Sequence, residues 1–155
     1  MAIMAPLGKG KTYQLKKLIE KQGHNKKILL VVGRCSLGCE FSYKVFNDMG
    51  FTYYKDIEDY KNCDRLVIQV DSLFKLYTVG KEYLDNIFDW LIVDECELIV
   101  DRLYEITRNK HECTFYFKWC LKNCKKVILA DGQLSQNVIN IFSDVRGKKT
   151  IYYSK

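Results

Sequence analysis

The sequence predicts an α/β fold in which helices cover both faces of a mostly parallel central sheet. Two apolar runs, Lys27–Gly33 and Arg65–Val70, lack the polar alternation of half-exposed strands, which is typical of strands buried on both faces. Segments with helical periodicity separate such runs, and this alternation indicates βαβ units. The length of 155 residues fits one domain. A content of 48% hydrophobic and 28% charged residues excludes a disordered chain.

Local patterns justify the individual elements. Thr12–Gln22 is predicted to be helical because Leu15, Leu18 and Ile19 share one helical face. A second helix, Leu37–Met49, is expected to end at Gly50, since glycine readily adopts the left-handed conformation found after helices. The other predicted helices are Glu97–Arg108, Cys113–Asn123 and Gln133–Phe142. Strands are predicted at 2–5, Lys27–Gly33, Phe51–Tyr54, Arg65–Val70, Trp90–Val93, Lys126–Ala130 and Thr150–Tyr153.

The charge and the cysteines limit the classes of partner and compartment. The net charge of +6 permits a polyanionic partner, and residues 1–50, 51–100 and 101–155 carry net charges of +6, −6 and +6. Seven cysteines follow an N-terminus without a secretory pattern, so we expect reduced thiols in the cytoplasm or nucleus, of a host cell if the protein is viral. Their spacing lacks the paired C-x2-C of zinc modules. No apolar run approaches about 20 residues, so no membrane partner is expected.

The most informative motif is a candidate phosphate-binding loop at Ala5–Thr12. It fits the consensus G-x-x-x-x-G-K-[ST] except that alanine occupies the first position. The loop glycines let backbone N–H groups turn toward an anion, and the following helix adds its positive end. We expect Lys11 to reach the β- and γ-phosphates of ATP and the Thr12 hydroxyl to bind Mg²⁺. The residues expected to surround the phosphates are Pro6, Leu7, Gly8, Lys9 and Gly10. The alternative is a simple Gly/Lys-rich turn before a helix.

A second motif is the apolar strand that runs into acidic residues at Leu91–Glu97. In a phosphate-loop enzyme the aspartate at such a strand end, here Asp94, holds Mg²⁺. The adjacent Glu95 would orient and deprotonate the attacking water. The alternative is a solvated acidic turn, but two motifs in the right order, about 80 residues apart, favour nucleotide binding.

A third strand, Val127–Ala130, also ends in polar groups, at Asp131 and Gln133. Ligands of open α/β sheets bind beyond the carboxyl ends of the strands, so either side chain would face the same crevice as Lys11 and sense the γ-phosphate. Equally, Asp131 or Ser135 would cap the next helix.

These segments resemble motifs I, II and III of superfamily-2 helicases. Within that group the sequence is most similar to the herpesvirus-type replication origin-binding protein family. Gly33–Leu37 resembles the family's R-x-S-L motif, Gln69–Leu73 its Q-x-x-S-L motif, and Phe88–Glu95 the neighbourhood of its acidic motif. The likeness spans about residues 3–135.

The resemblance implies a three-layer RecA-like phosphate-loop NTPase domain that binds ATP and Mg²⁺ and holds single-stranded DNA along one edge. Arg34, Ser36, Gln69 and Ser72 would then lie near the nucleic-acid backbone, where a guanidinium and small polar groups suit phosphate contacts. Other readings stay open: an ion pair for Arg34, a helix cap for Ser36, and turn formation for Gln69 and Ser72.

The chain also departs from the helicase pattern. Such helicases use two RecA-like domains, and the second supplies an arginine finger that contributes about 10³–10⁵ in rate in other NTPases. We read residues 1–155 as the first domain alone and expect a piece of a longer protein or a shortened gene product. Such a domain should bind nucleotide weakly and hydrolyse it slowly. The alternative function is an inert nucleotide- or DNA-binding module that needs a partner domain or other replication proteins. A phosphate-loop kinase is disfavoured by the Asp94–Glu95 pair.

Overall fold

A computed structural model describes residues 2–4, 10–60, 62–77, 88–147 and 153–154. The strands are β1 (Ala2–Met4), β2 (Ile28–Val32), β3 (Thr52–Tyr53), β4 (Arg65–Gln69), β5 (Trp90–Asp94), β6 (Lys126–Asp131) and β7 (Tyr153–Ser154). The α-helices are α1 (Lys11–Gln22), α2 (Cys35–Glu40), α3 (Cys96–Glu105), α4 (Lys110–Asn123) and α5 (Gln136–Arg146). A π-helical turn (Phe41–Val45) and two 3-10 segments (Asn47–Met49 and Val70–Leu76) complete the described elements.

One seven-stranded sheet runs through the molecule in the order β3-β4-β2-β5-β6-β1-β7. Every paired neighbour is parallel, so the mostly parallel sheet expected from the sequence is confirmed. The central strands β2 and β5 are buried along their whole length, as their unbroken apolar runs predict.

The helices form two outer layers, which makes this a three-layer RecA-like fold. Because βαβ crossovers are right-handed, connections that move in opposite directions along a sheet place their helices on opposite faces. From β1 to β3 the chain moves toward the β3 edge, and from β4 onward it moves toward the β7 edge. Accordingly α4 contacts α3, α5 and Val70–Leu76, whereas Lys16 of α1 pairs with Asp48, which follows α2.

The predicted helix Leu37–Met49 is wrong as a single element. It begins as α2, widens into the π-helical turn and tightens into the 3-10 segment Asn47–Met49. The Ser42 hydroxyl donates to the carbonyl oxygens of Gly38 (3.0 Å) and Cys39 (3.3 Å), and such back-bonding disturbs a helix. The end at Gly50 is confirmed, since this residue has a φ of 73°.

Other boundaries differ by a few residues. The predicted helix Gln133–Phe142 begins later, as α5 at Gln136, because the Ser135 hydroxyl caps it by accepting from the Val138 amide at 3.2 Å. The predicted helix Glu97–Arg108 ends earlier, at Glu105. Of the predicted strand Thr150–Tyr153, residues 150–152 lie outside the described residues. Among the described residues no helix is long and apolar enough to cross a membrane.

Gly38→Ala is expected to destabilise the domain by about 1–3 kcal/mol, the usual range for overpacking. A Cβ at Gly38 would stand 2.7 Å from Cε2 of Tyr53, whose ring is buried and has no room to move. Urea unfolding would measure the loss. Gly50→Ala is the informative comparison, because a Cβ there meets no atom within 4 Å and adds only backbone strain at positive φ. A Gly38→Ala midpoint equal to that of the wild type would contradict this packing.

Candidate nucleotide-binding site

A cleft of about 950 Å³ opens at the carboxyl end of the sheet. The adjacent strands β1 and β6 lead into helices on opposite faces of the sheet, and so do the adjacent strands β2 and β5. In parallel sheets a crevice forms between strands that are connected in this way. The cleft is lined by the start of α1, the turns after β5 and β6, and the region of α2 and the π-helical turn: Gly10–Tyr13, Leu37, Glu40, Phe41, Val45, Asp94, Glu95 and Asp131–Gln133.

The start of α1 provides an anion-attracting end to this cleft. Gly10 precedes the helix with φ 80° and ψ 18°, a left-handed conformation that favours glycine. The first turn of α1 carries no acidic residue, so its backbone N–H groups keep their positive potential. Lys11 and Thr12 are half-buried in the cleft wall. Pro6, Leu7, Gly8 and Lys9 lie outside the described residues, so their phosphate contacts stay a prediction.

The structure joins the first two motifs by an ion pair. Lys11 Nζ lies 2.9 Å from Asp94 Oδ1, across the space between the start of α1 and the end of β5. The Asp94 side chain is 3% exposed and that of Lys11 22% exposed, so the lysine can leave the pair toward the cleft while the carboxylate stays in place. Residues 83 positions apart in the chain thus meet at the site that the motifs predict.

Burial makes the Asp94 carboxylate an unfavourable charge. Desolvation raises the pKa of Asp94 above its usual value, and the nearby Glu95 and Asp131 raise it further, against the opposing effect of Lys11. A cation held against this oxygen would relieve the penalty. Asp94 and the Thr12 hydroxyl supply the hard oxygen ligands that Mg²⁺ prefers.

Asp94→Asn is expected to stabilise the nucleotide-free chain relative to the wild type, increasingly as the pH rises above about 4. A carboxyl whose pKa is raised by folding contributes stability below its unfolded pKa, about 3.9, and loses it as the pH rises through the folded pKa. Thermal unfolding at several pH values measures the difference between the two proteins.

Asp89, just before the same strand, provides a control because its pKa is shifted in the opposite direction from that of Asp94. Its pKa is lowered, chiefly by the hydrogen bond from Lys125, so its contribution is present at neutral pH and is lost as the pH falls. Asp89→Asn should therefore destabilise most at neutral pH. If the two variants shift with pH in the same direction, the electrostatic account of Asp94 is wrong.

Glu95 combines two features that are typical of functional residues. It lies before α3 with φ 57° and ψ 59°, a left-handed conformation that costs a non-glycine residue about 1–3 kcal/mol. Its amide donates to the Ala130 carbonyl at 2.9 Å, which fixes this turn to the neighbouring strand. Its Oε2 is buried yet has no hydrogen-bond partner among the described residues. An unsatisfied carboxylate oxygen beside the cleft is free to accept a bond from a ligand or a water.

The third motif supports the second through hydrogen bonds. Asp131 accepts from the Glu97 amide at 3.1 Å and from the Gln133 amide at 3.0 Å, while Glu97 accepts from the Ser135 amide at 2.6 Å. Asp131 therefore caps the first turn of α3 and closes its own turn. Of the two caps considered for the next helix, Ser135 is the observed one. Gln133 is exposed at the cleft, and Asp131 also lines it.

The four candidate nucleic-acid residues follow two neighbouring strands. Val32 of β2 is in register with Gln69 of β4, so the segments that contain Arg34 and Ser36 begin beside those that contain Gln69 and Ser72. Arg34 and Ser36 are exposed, and the other two are half-buried. The residue that precedes α2 is Arg34 and not Ser36. Ser36 therefore does not cap this helix, which was the alternative role considered for it. Gln69 donates weakly to Asp71 at 3.4 Å, a contact within the turn.

Two lysines near this edge are not predicted from the sequence. Lys55 Nζ donates to Cys35 Sγ at 3.1 Å, directly beside Arg34, and the ammonium groups of Lys55 and Lys75 lie 5.8 and 5.3 Å from the centre of the Tyr54 ring. Both lysines belong to residues 51–100, and the net negative charge of that segment does not indicate a basic surface there. The sequence indicates a place for Lys75 at this edge only through its position three residues after Ser72.

Comparison with known proteins gives a consistent result. The chain is 29% identical over 161 residues to a protein of Acanthamoeba polyphaga mimivirus provisionally named a replication origin-binding protein, covering 97% of the chain and 20% of the relative. It is 28% identical over 155 residues to the replication origin-binding protein of varicella-zoster virus (strain Dumas), covering 97% of the chain and 18% of the relative.

A third relative is a protein of African swine fever virus (isolate Warthog/Namibia/Wart80/1980) provisionally named a helicase/primase complex protein. It is 27% identical over 158 residues, covering 99% of the chain and 15% of the relative. The chain thus spans a fifth or less of the length of these relatives. The model of the family described as origin of replication binding protein matches residues 1–153. This match covers almost the whole sequence, and the chain therefore belongs to the origin of replication binding protein family.

Proposed function

We propose that the chain is a nucleotide-binding motor domain that binds Mg²⁺–ATP in the cleft, hydrolyses it and couples hydrolysis to DNA during viral-type genome replication. The observation that carries this proposal is the Lys11–Asp94 pair at 2.9 Å, with the unsatisfied Glu95 oxygen beside it. The names of the mimivirus and varicella-zoster virus relatives support the role in replication, and the helicase/primase name of the African swine fever virus relative supports a DNA-dependent motor.

In the proposed reaction, Lys11 leaves Asp94 and binds the β- and γ-phosphates, together with N–H groups at the start of α1. Asp94 and Thr12 would hold Mg²⁺, and the cation would supply positive charge against the phosphate oxygens. Glu95 accepts a proton from the attacking water, whose oxygen forms a bond to the γ-phosphorus as the bond to the β–γ bridging oxygen breaks. Asp131 positions Glu95 indirectly, because it holds the turn that contains Glu95 and the start of α3 in place.

DNA is proposed to lie along the edge formed by Arg34, Ser36, Gln69 and Ser72, with Lys55 and Lys75 adding positive charge. Contacts of this kind to phosphates give affinity without base readout. The 3-10 segment that carries Ser72 also connects to α3, since Arg102 pairs with Asp71 at 3.2 Å. Through α3 this edge reaches Glu95 and Asp94, which offers a direct route between DNA and the nucleotide.

A single-turnover ATP assay, with and without single-stranded DNA, tests the proposal. Stimulation of ADP formation by DNA is expected, with a slow basal rate because a partner domain would supply the arginine finger. Arg34→Ala should remove most of the stimulation and lower the salt dependence of DNA binding by about 0.7 in the log–log slope. Lys125→Ala removes the same charge at the opposite end of the sheet and should change neither. DNA binding without turnover in any condition would instead favour an inert module.

A further inference from the structure

A group of four side chains beside the nucleotide cleft, here called the thiol cluster, consists of Cys35, Cys39, Tyr53 and Lys55. Cys35 is the first residue of α2 and is half-buried. Its sulfur lies 2.9 Å from the Tyr53 hydroxyl and accepts a hydrogen bond from Lys55 Nζ at 3.1 Å. Cys39 lies one helical turn later in α2. The cluster plays no part in the proposed ATP reaction.

The neighbours of Cys35 favour its thiolate. The hydrogen bond from Tyr53 and that from Lys55 lower the pKa of Cys35, and Cys39 contributes weakly in the same direction. Burial raises the pKa of Tyr53, so the phenol keeps its proton and can donate it to the sulfur. Tyr53, Lys55 and Cys39 are the titratable groups that face this thiol.

The other cysteines provide the contrast. Burial raises the pKa of Cys63, Cys96, Cys113 and Cys120, which keeps these thiols protonated and weakly nucleophilic. Cys63 is also half-buried, but its thiol donates to the Arg65 carbonyl at 3.3 Å, whereas the Cys35 sulfur accepts from Lys55. Cys35 and Cys63 therefore differ both in their hydrogen-bond partners and in desolvation, which is the largest effect that raises the pKa of Cys63.

We propose that Cys35 is a modification site that reacts with low-molecular-weight disulfides. The Cys35 thiolate attacks one sulfur of the disulfide, a new S–S bond forms and the original S–S bond breaks. The departing thiolate takes the bonding electron pair and then a proton, equivalent to the one lost from Cys35. Cys35 is oxidised to the mixed disulfide and half of the small disulfide is reduced to a thiol, so the disulfide itself is the oxidant.

The position of Cys35 gives this reaction a consequence, which rests on the proposed function. An adduct would lie between Arg34 and Ser36, the two exposed residues of the proposed DNA edge. It would also break the hydrogen bond from Lys55 to the Cys35 sulfur. An anionic adduct such as glutathione would also repel phosphates. Modification is therefore expected to weaken DNA binding.

The chemical proposal is tested by incubating the full chain with glutathione disulfide and mapping adducts by mass spectrometry over time. Cys35 should be modified at least about fivefold faster than Cys63 at pH 7, and Lys55→Met should slow Cys35 by a similar factor. Lys75→Met is the matched control, because it removes the other lysine on the Tyr54 ring without touching the thiol. Equal rates of modification at Cys35 and Cys63, or the same rate at Cys35 in the wild type and in Lys55→Met, would overturn the proposal.

The consequence for DNA has a separate readout. Treatment with glutathione disulfide should reduce the binding of labelled single-stranded DNA by the wild type and leave Cys35→Ser unaffected. Equal loss in both proteins would overturn the link to Cys35. Failure of the untreated chain to bind DNA would instead contradict the proposed function, while the adduct map still decides whether Cys35 is the reactive thiol.

Discussion

Replacing Lys11 with alanine is expected to weaken Mg²⁺–ATP binding by about 10- to 100-fold, because a hydrogen bond to a charged group contributes about 1.5–3 kcal/mol. Lys11 lines the cleft, and its present partner, Asp94, is the residue proposed to bind Mg²⁺. Fluorescent nucleotide titration measures the loss. The variant should fold, since the side chain of Lys11 reaches solvent and its helix keeps its apolar face on Leu15 and Ile19.

Lys16→Ala is the matched control for Lys11→Ala. Lys16 lies on the same helix and also pairs with a carboxylate at 2.9 Å, that of Asp48, but outside the cleft. Its replacement should leave the affinity for nucleotide within about twofold, because exposed ion pairs contribute little. Equal affinities for the two variants would show that Lys11 does not bind phosphate.

Glu95→Gln is expected to slow ATP hydrolysis by about 10²- to 10⁴-fold while nucleotide binding is kept, the range usually lost with a general base. Glutamine has nearly the same shape and occupies the same left-handed position, so the backbone strain at this residue is unchanged. What is lost is the carboxylate whose Oε2 lacks a partner in the described part of the chain. Single-turnover ADP formation, followed beside nucleotide affinity, separates the two effects.

The control for Glu95 is Glu105→Gln, an exposed position at the end of α3 that lies away from the cleft. Its rate should equal that of the wild type. Unchanged ADP formation in Glu95→Gln would remove this residue from the reaction, and a parallel loss of nucleotide affinity would mean that it serves binding instead of hydrolysis.

Much of the fold follows from local pattern. The run from Ile28 to Val32 has no polar residue on either face, and such a segment is typical of the middle of a parallel sheet, where β2 is found. The same reasoning applies to β5, whose last residue is Asp94. Because all strands point the same way, side chains that follow them must gather at one edge, and this is why Lys11 and Asp94 could be placed together from the sequence.

What the sequence could not predict depends on partners far away in the chain. The close fit of Gly38 in α2 on Tyr53 of β3 is a contact that no helical periodicity predicts. Asp131 lines the cleft, but the cap of the next helix considered for it is made by Ser135, and Asp131 instead caps α3, which begins 35 residues earlier. The donors to Cys35 come from residues 18 and 20 positions later. Each of these contacts is set by tertiary packing.

The cleft between the start of α1 and the end of β5 is proposed to bind Mg²⁺–ATP. Isothermal titration of ATP into the chain, with Mg²⁺ and with a chelator, and repeated with Asp94→Asn, tests it most directly. We expect the wild type to show a single site whose affinity for ATP falls when Mg²⁺ is removed, and Asp94→Asn to show an affinity that no longer depends on Mg²⁺. No binding to the folded wild type, or a Mg²⁺ dependence that persists in Asp94→Asn, would contradict it.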